Sequence, residues 1–134
     1  MIVFIDTNVL ISSLLHRYSI PHRAILKSTN YPYFGVVSDY CLKELDAVIH
    51  NKFTNRYLEL RKTLSEFLPT LNVVTTCSEV YDVELLLRDP NDRLILRAAL
   101  QIDADILITG DKDLLDLTIT KPKIITPREF IDNY

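Results

Sequence analysis

Glycine is nearly absent: the 134 residues contain two, Gly35 and Gly110. That excludes the glycine-rich phosphate cradles G-x-G-x-x-G and G-x-x-x-x-G-K-[ST]. Cysteine is equally scarce. Cys41 and Cys77 stand 36 positions apart and form no C-x-x-C pair, so neither a zinc knuckle nor a redox motif is encoded. Both are expected as reduced, small apolar residues. Long apolar runs are missing too, since the longest, Met1 to Ile5, has five residues, whereas a membrane span needs roughly 20. Asp6 and Asn8 interrupt that stretch almost at once, which argues against a secretory signal. The expected location is the cytoplasm, with no membrane contact.

What is present fits one globular domain over residues 1–134. Hydrophobic residues make up 48% and charged residues 25%, far from the profile of a disordered chain. The net charge of −3 hides an asymmetry: residues 1–62 carry eight Lys/Arg against five Asp/Glu, residues 63–134 seven against thirteen. An acidic protein is a poor general binder of nucleic acid, which draws on phosphate neutralisation, so any such contact is local or assisted by metal.

Short apolar runs alternate with helical spacing along the whole chain. Ile2 to Ile5 reads as a buried parallel strand ending at Asp6-Thr7-Asn8. Val9 to Leu15 and a stretch after Pro21 are helical, and Tyr31-Pro32-Tyr33 is a connection. Phe34 to Val37 is a strand, after which Ser38 caps a helix running to about His50. Residues 53–68 form an amphipathic helix ended by Pro69. Val73-Val74 is a strand, and residues 79–87 a short helix. Asp92 opens a helix to Gln101 or Ile102, and Ile106 to Ile108 is a strand. A loop and short helix follow from Gly110 to Leu117, then the strand Ile124-Ile125. Thr126-Pro127-Arg128-Glu129 carries an N-cap, a proline at the first helical position and a capping-box glutamate. The alternation predicts an α/β fold, a mainly parallel sheet covered on both faces.

Ligands of open parallel sheets bind outside the carboxyl ends of the strands. Asp6 follows the first strand, and Asp111 and Asp113 follow Ile106 to Ile108. Asp92 sits in a first helical turn, where the helix dipole also favours an acid. Glu44 lies about 40° from Val48 at 100° per residue, on the border of its helix's apolar face. A carboxylate placed there needs a partner. Two like charges about 5 Å apart repel by roughly 3 kcal/mol at an effective dielectric near 20. Four or five acids at one end of a sheet therefore call for a shared cation or raised pKa values. Oxygen ligands with no His or Cys among them favour Mg²⁺ or Mn²⁺ over Zn²⁺.

Asp6-Thr7-Asn8, Ser38 with Glu44, Asp89-Pro90-Asn91-Asp92-Arg93 and Thr109-Gly110-Asp111-Lys112-Asp113-Leu114-Leu115 together resemble the motif series of PIN-domain ribonucleases. The likeness extends to Ile125-Thr126-Pro127 with Glu129-Phe130. It is nearest to the small single-domain toxins of prokaryotic toxin–antitoxin pairs. The resemblance implies a three-layer α/β/α sandwich and a metal-dependent endoribonuclease. It further implies catalytic acids Asp6, Glu44, Asp92, Asp111 and Asp113, and metal ligands Asp6, Asp92 and Asp111 or Asp113. Asn8 and Thr109 match the polar positions that steady the cluster. Arg93 stands where similar sequences often carry an acid, and is open to pairing with a carboxylate or touching phosphate. An RNA substrate, an antitoxin partner and a homodimer are implied as well.

On that reading, Arg23, Lys27, Lys52, Arg56, Arg61 and Lys62 are candidates to border an RNA cleft, with Lys112 nearer the metals, although a solvated helix face explains them equally. Tyr31, Tyr33 and Phe34 are suited to stacking on bases, but core packing and turn structure is the preferred reading. His16, His22 and His50 read as surface or loop residues rather than as catalysts of metal-free cleavage. The alternative function is a catalytically weak or inactive module that binds RNA or a partner.

Overall fold

Val3, Phe4 and Ile5 are fully buried, which a short β-branched run achieves only as a central strand covered on both faces. In the computed structural model, which describes residues 1–134, Ile2–Ile5 (β1) lies at the centre of a five-stranded, all-parallel sheet. Its neighbours are Phe34–Ser38 (β2) and Ile106–Ile108 (β4). Asn72–Val74 (β3) and Lys123–Ile125 (β5) form the edges, giving the order β3-β2-β1-β4-β5. Val3 pairs with Gly35 on one side and Ile106 on the other.

Thr7–Leu15 (α1) and Ile20–Ser28 (α2) connect β1 to β2, and Asp39–Lys52 (α3) and Tyr57–Phe67 (α4) lead on towards β3. These helices pack against one another. Right-handed crossovers place them on one face and place Pro90–Gln101 (α5), on the return from β3 to β4, on the other. Lys112–Leu115 (α6) and Pro127–Asn133 (α7) complete the α/β/α sandwich. No helix is long and apolar enough to cross a membrane.

Local chemistry sets the element ends as expected in several places. The Ser38 hydroxyl accepts from the Cys41 amide at 3.0 Å and starts α3. Thr126 and Glu129 close a reciprocal capping box on α7, at 3.1 and 3.4 Å. Gly35 is required by close packing, because a Cβ there would stand 2.9 Å from the Ser28 hydroxyl and 3.1 Å from a Leu71 methyl. Both cysteines are free, Cys41 in the core and Cys77 half-buried.

Other expectations need correction. The helix expected over 53–68 is interrupted: Thr54–Arg56 is a 3₁₀ turn, α4 spans Tyr57–Phe67, and Leu68–Thr70 is a second 3₁₀ turn carrying Pro69. The short helix expected over 79–87 is a 3₁₀ segment, Asp82–Leu86. Asp89, not Asp92, caps α5, its carboxylate accepting from the Asn91 amide at 2.9 Å. His22 is buried in α2 against Phe67 rather than lying on a surface or loop, with ring centroids 5.4 Å apart. The Lys27 ammonium is taken up within the fold: it donates to the main-chain oxygens of Phe130 and Ile131, both at 3.1 Å, and of Tyr134, so it closes the end of α7. Of the three aromatics near β2, Tyr33 packs edge-on to Phe130, while Tyr31 and Phe34 are exposed.

A carboxylate cluster at the carboxyl ends of the strands

The chain leaves β1 towards β2 on one side and returns to β4 on the other, which opens a crevice at the carboxyl ends of β1 and β4. Asp6 and Thr109 are the first residues past those two strands. The Asp6 amide donates to the Ile108 carbonyl at 3.0 Å, extending the ladder by one bond. Across the same gap the Thr109 hydroxyl donates to the Asp6 carboxylate at 2.7 Å and accepts from the Asp111 amide at 2.9 Å. Thr109 is itself fully buried. One hydroxyl thus orients the first acid and fixes the turn that presents the next two.

That turn is built by Asp111. It caps α6, with one carboxylate oxygen accepting from the Asp113 amide at 2.8 Å and the Leu114 amide at 3.4 Å. Asp92 enters from the third position of α5, free of capping duty because Asp89 performs it. Carboxylate oxygens of Asp92, Asp111 and Asp113 lie within 4.8 Å of one another.

The electrostatics show the cost of this gathering. Burial pushes Asp6 up; hydrogen bonds from Thr109 and the Thr7 amide oppose it, Glu44 and Asp111 add to it, and the result is about 6. Asp92 is pushed up to about 7 by burial, then by the charges of Asp111, Asp89, Asp6 and Asp113. Glu44 reaches the same region from the half-buried border of α3. One turn earlier, Tyr40 has its phenol held protonated by burial, by Glu44 beside it and by Asp89, and donates to the Asn91 side chain. A divalent cation fits the donor set, which is all carboxylate oxygen and carries a charge surplus only a cation or protons relieve.

Asp92, Asp111 and Asp113 come together as one group, with Asp6 and Glu44 within electrostatic reach. Thr109 contacts the cluster directly, whereas Asn8 is exposed on α1 and its side chain bonds to none of these acids. Arg93 forms no ion pair with the acids of the cluster. Its guanidinium donates to the Leu87 carbonyl at 2.7 Å and holds the segment that leads into α5. Among the basic candidates, Arg56 pairs with Glu59 and Arg61 with Asp46, both at the surface, while Arg23, Lys52, Lys62 and Lys112 are exposed.

Sequence reasoning missed two groups at the site. Tyr40 was findable, because four residues separate it from Glu44 and place both on one helix face. Arg88 pairs with Asp113 at 3.1 Å, a contact between residues 25 positions apart that no local spacing signals.

A family model described as the PIN domain matches residues 2–113. An uncharacterized protein of Methanocaldococcus jannaschii is 28% identical, over 98% of this chain and 90% of its own. The fold is similar to VapBC2 of Rickettsia felis bound to a DNA fragment from their promoter, with a TM-score of 0.74, 17% identity, and 94% of this chain and 98% of that one covered. It is also similar to a toxin–antitoxin complex of Klebsiella pneumoniae, with a TM-score of 0.65, 23% identity, and coverage of 93% and 97%. VapBC-1 of nontypeable Haemophilus influenzae is similar as well, with a TM-score of 0.61, 18% identity, and coverage of 96% and 99%.

Proposed function

The chain belongs to the PIN-domain family, and on that premise we propose that it is a divalent-metal-dependent endoribonuclease, the toxin of a toxin–antitoxin pair. The observation that carries this reading is the approach of Asp92, Asp111 and Asp113 to within 4.8 Å beside a buried Asp6. Such a concentration of carboxylates suits Mg²⁺ or Mn²⁺. Bound there, the ion supplies Lewis-acid stabilisation of charge on a phosphodiester and makes a water more acidic.

The chain's own residues have distinct parts in this reading. Asp6, Asp92 and Asp111 or Asp113 hold the ion. Thr109 keeps the Asp6 carboxylate turned into the crevice, with a donor that favours its ionised form. Glu44, whose charge reaches Asp6, completes the coordination through a water or orients the attacking water. In-line attack by water on the phosphorus breaks the bond to the 3′-oxygen, leaving a 5′-phosphate and a 3′-hydroxyl. Support for a protein partner comes from the Klebsiella pneumoniae neighbour, which is itself a toxin–antitoxin complex. The antitoxin is expected to meet the acidic crevice with a basic segment, and the toxin to be a homodimer acting in the cytoplasm.

The test is cleavage of defined single-stranded RNAs with and without Mn²⁺, comparing wild type with Asp92→Asn. Metal-dependent products bearing 5′-phosphates, lost in the variant, are expected. A 2′,3′-cyclic phosphate product, or binding of RNA without turnover at any metal concentration, overturns the reading.

A further inference from the structure

Arg88 is the one basic side chain ion-paired to the carboxylate cluster, and its surroundings are built to present it. Its backbone is fixed from several directions. Leu87, immediately before it, is buried, and the Leu87 carbonyl is held by Arg93 at 2.7 Å. Upstream, the 3₁₀ segment Asp82–Leu86 is pinned to α5 by the bidentate Glu84–Arg97 pair, at 2.6 and 3.2 Å. Downstream, Asp89 begins α5. The side chain by contrast is 87% exposed, and its one partner is the Asp113 carboxylate at 3.1 Å. A guanidinium so exposed gives up a carboxylate at little cost, because solvent already screens the pair.

Resting on the nuclease reading, we propose that Arg88 binds a phosphate of the RNA backbone beside the scissile one, leaving Asp113 as it does so. Three considerations carry this. The crevice is ringed by carboxylates and repels RNA, so a fixed positive charge at its rim is needed for phosphates to approach. A divalent ion among the acids takes up the charge of Asp113 and weakens the hold on Arg88. The freed guanidinium is planar and forked, matching a phosphate with two parallel hydrogen bonds better than any lysine. Arg56, Arg61 and Arg97 pair with carboxylates outside the cluster, and Arg93 is held by a main-chain oxygen, so none of them touches the acids at the crevice.

The experiment measures binding of a fluorescein-labelled, mixed-sequence single-stranded RNA with Ca²⁺ in place of Mn²⁺, across a salt series. It compares wild type, Arg88→Met and Arg88→Lys, with thermal melting of each. The methionine variant is expected to melt like wild type and to bind about tenfold more weakly. Its slope of log affinity against log salt should be shallower by about 0.7, the loss of one phosphate contact on a single strand. The lysine variant should keep the slope and lose part of the affinity. With Mn²⁺, KM should rise more than kcat falls. Unchanged RNA affinity and slope in Arg88→Met, whether or not Mn²⁺ then binds more tightly, makes the arginine a mere countercharge to Asp113 and overturns the proposal alone. A wild type that binds no RNA at any salt overturns it together with the nuclease reading.

Discussion

The Thr109 hydroxyl donates to the Asp6 carboxylate at 2.7 Å between residues 103 positions apart, across the gap between β1 and β4. A buried carboxylate depends on such a donor to stay charged. Thr109→Val keeps the shape and removes both this bond and the one accepted from the Asp111 amide, so the Asp6 carboxyl rises further above its usual range. The acidic limb of the pH–rate profile for RNA cleavage should move to higher pH, with the plateau reached later. A carboxyl-carbon NMR titration of Asp6 checks the same shift directly, and an unmoved midpoint contradicts the role assigned to Thr109.

Metal-free stability should fall as pH rises from 4 to 7. Asp6 and Asp92 have folded-state values near 6 and 7, above the ordinary carboxylate value of 3.8. The folded protein therefore binds more protons than the unfolded chain between those limits, and the stability they contribute is complete below the unfolded value and lost as pH passes the folded ones. The acids held below their usual range, Asp39, Glu59, Glu84 and Asp105, act in the opposite sense, but their ordinary values of 3.8 to 4.5 confine that effect to the acidic end of this window. Calorimetric melting in EDTA should show Tm dropping across pH 4–7, less so in Asp6→Asn/Asp92→Asn. Mn²⁺ should raise Tm most at pH 7 and leave the double variant nearly unmoved.

The Glu84 side chain is 1% exposed and that of Arg97 14%. Burial would push Glu84 up, yet the Arg97 guanidinium and the Tyr81 amide hold it below the usual carboxylate range. Arg97→Met strands a buried carboxylate and should cost about 3 kcal/mol in urea denaturation. Glu84→Leu/Arg97→Met should recover most of that loss, because no charge is then left unpaired. A single variant as stable as wild type would show that the 3₁₀ segment is held by its apolar contacts alone.

His22 is 7% exposed and its Nδ1 has no hydrogen-bond partner. Its ring serves as an aromatic wedge between Phe67 and Tyr18, with centroids 5.4 and 5.9 Å away. His22→Phe removes a buried ring nitrogen that has no partner while keeping an aromatic ring, and should stabilise the protein by about 1 kcal/mol with RNA cleavage unchanged. Loss of cleavage with the fold intact would reinstate a histidine-driven reaction.

Lys27 donates to three main-chain oxygens at the end of α7 and lies 5.2 Å from the Phe130 ring centroid. Lys27→Met should cost about 1 kcal/mol and speed amide hydrogen exchange in α7, leaving RNA affinity as it was. Weakened RNA binding without faster exchange would return Lys27 to the nucleic-acid interface.

Much of this protein is written in short-range patterns. The run Ile2–Ile5 makes a buried strand wherever it packs. Ser38 three residues before Cys41, and Thr126 three before Glu129, cap helices through bonds that span a single turn. Asp6, Asp92, Asp111 and Asp113 were visible because each follows a strand or stands in the first turn of a helix, positions that point to one end of a parallel sheet, and Glu44 because it borders the apolar face of α3. The interruption of the 53–68 helix, the capping of α5 by Asp89 and the burial of His22 were not visible. Each depends on which neighbour wins a given amide or fills a given gap.

The sequence by itself determined the alternation of strands and helices, the composition of the acidic group and the oxygen chemistry that suits a hard cation, because backbone geometry sets spacing within an element. Only the tertiary structure decided that β4 lies beside β1, that Thr109 thereby reaches Asp6, and that Arg88 rests on Asp113. Those contacts follow from sheet order and loop closure, where residues far apart in the chain meet for reasons no local window contains.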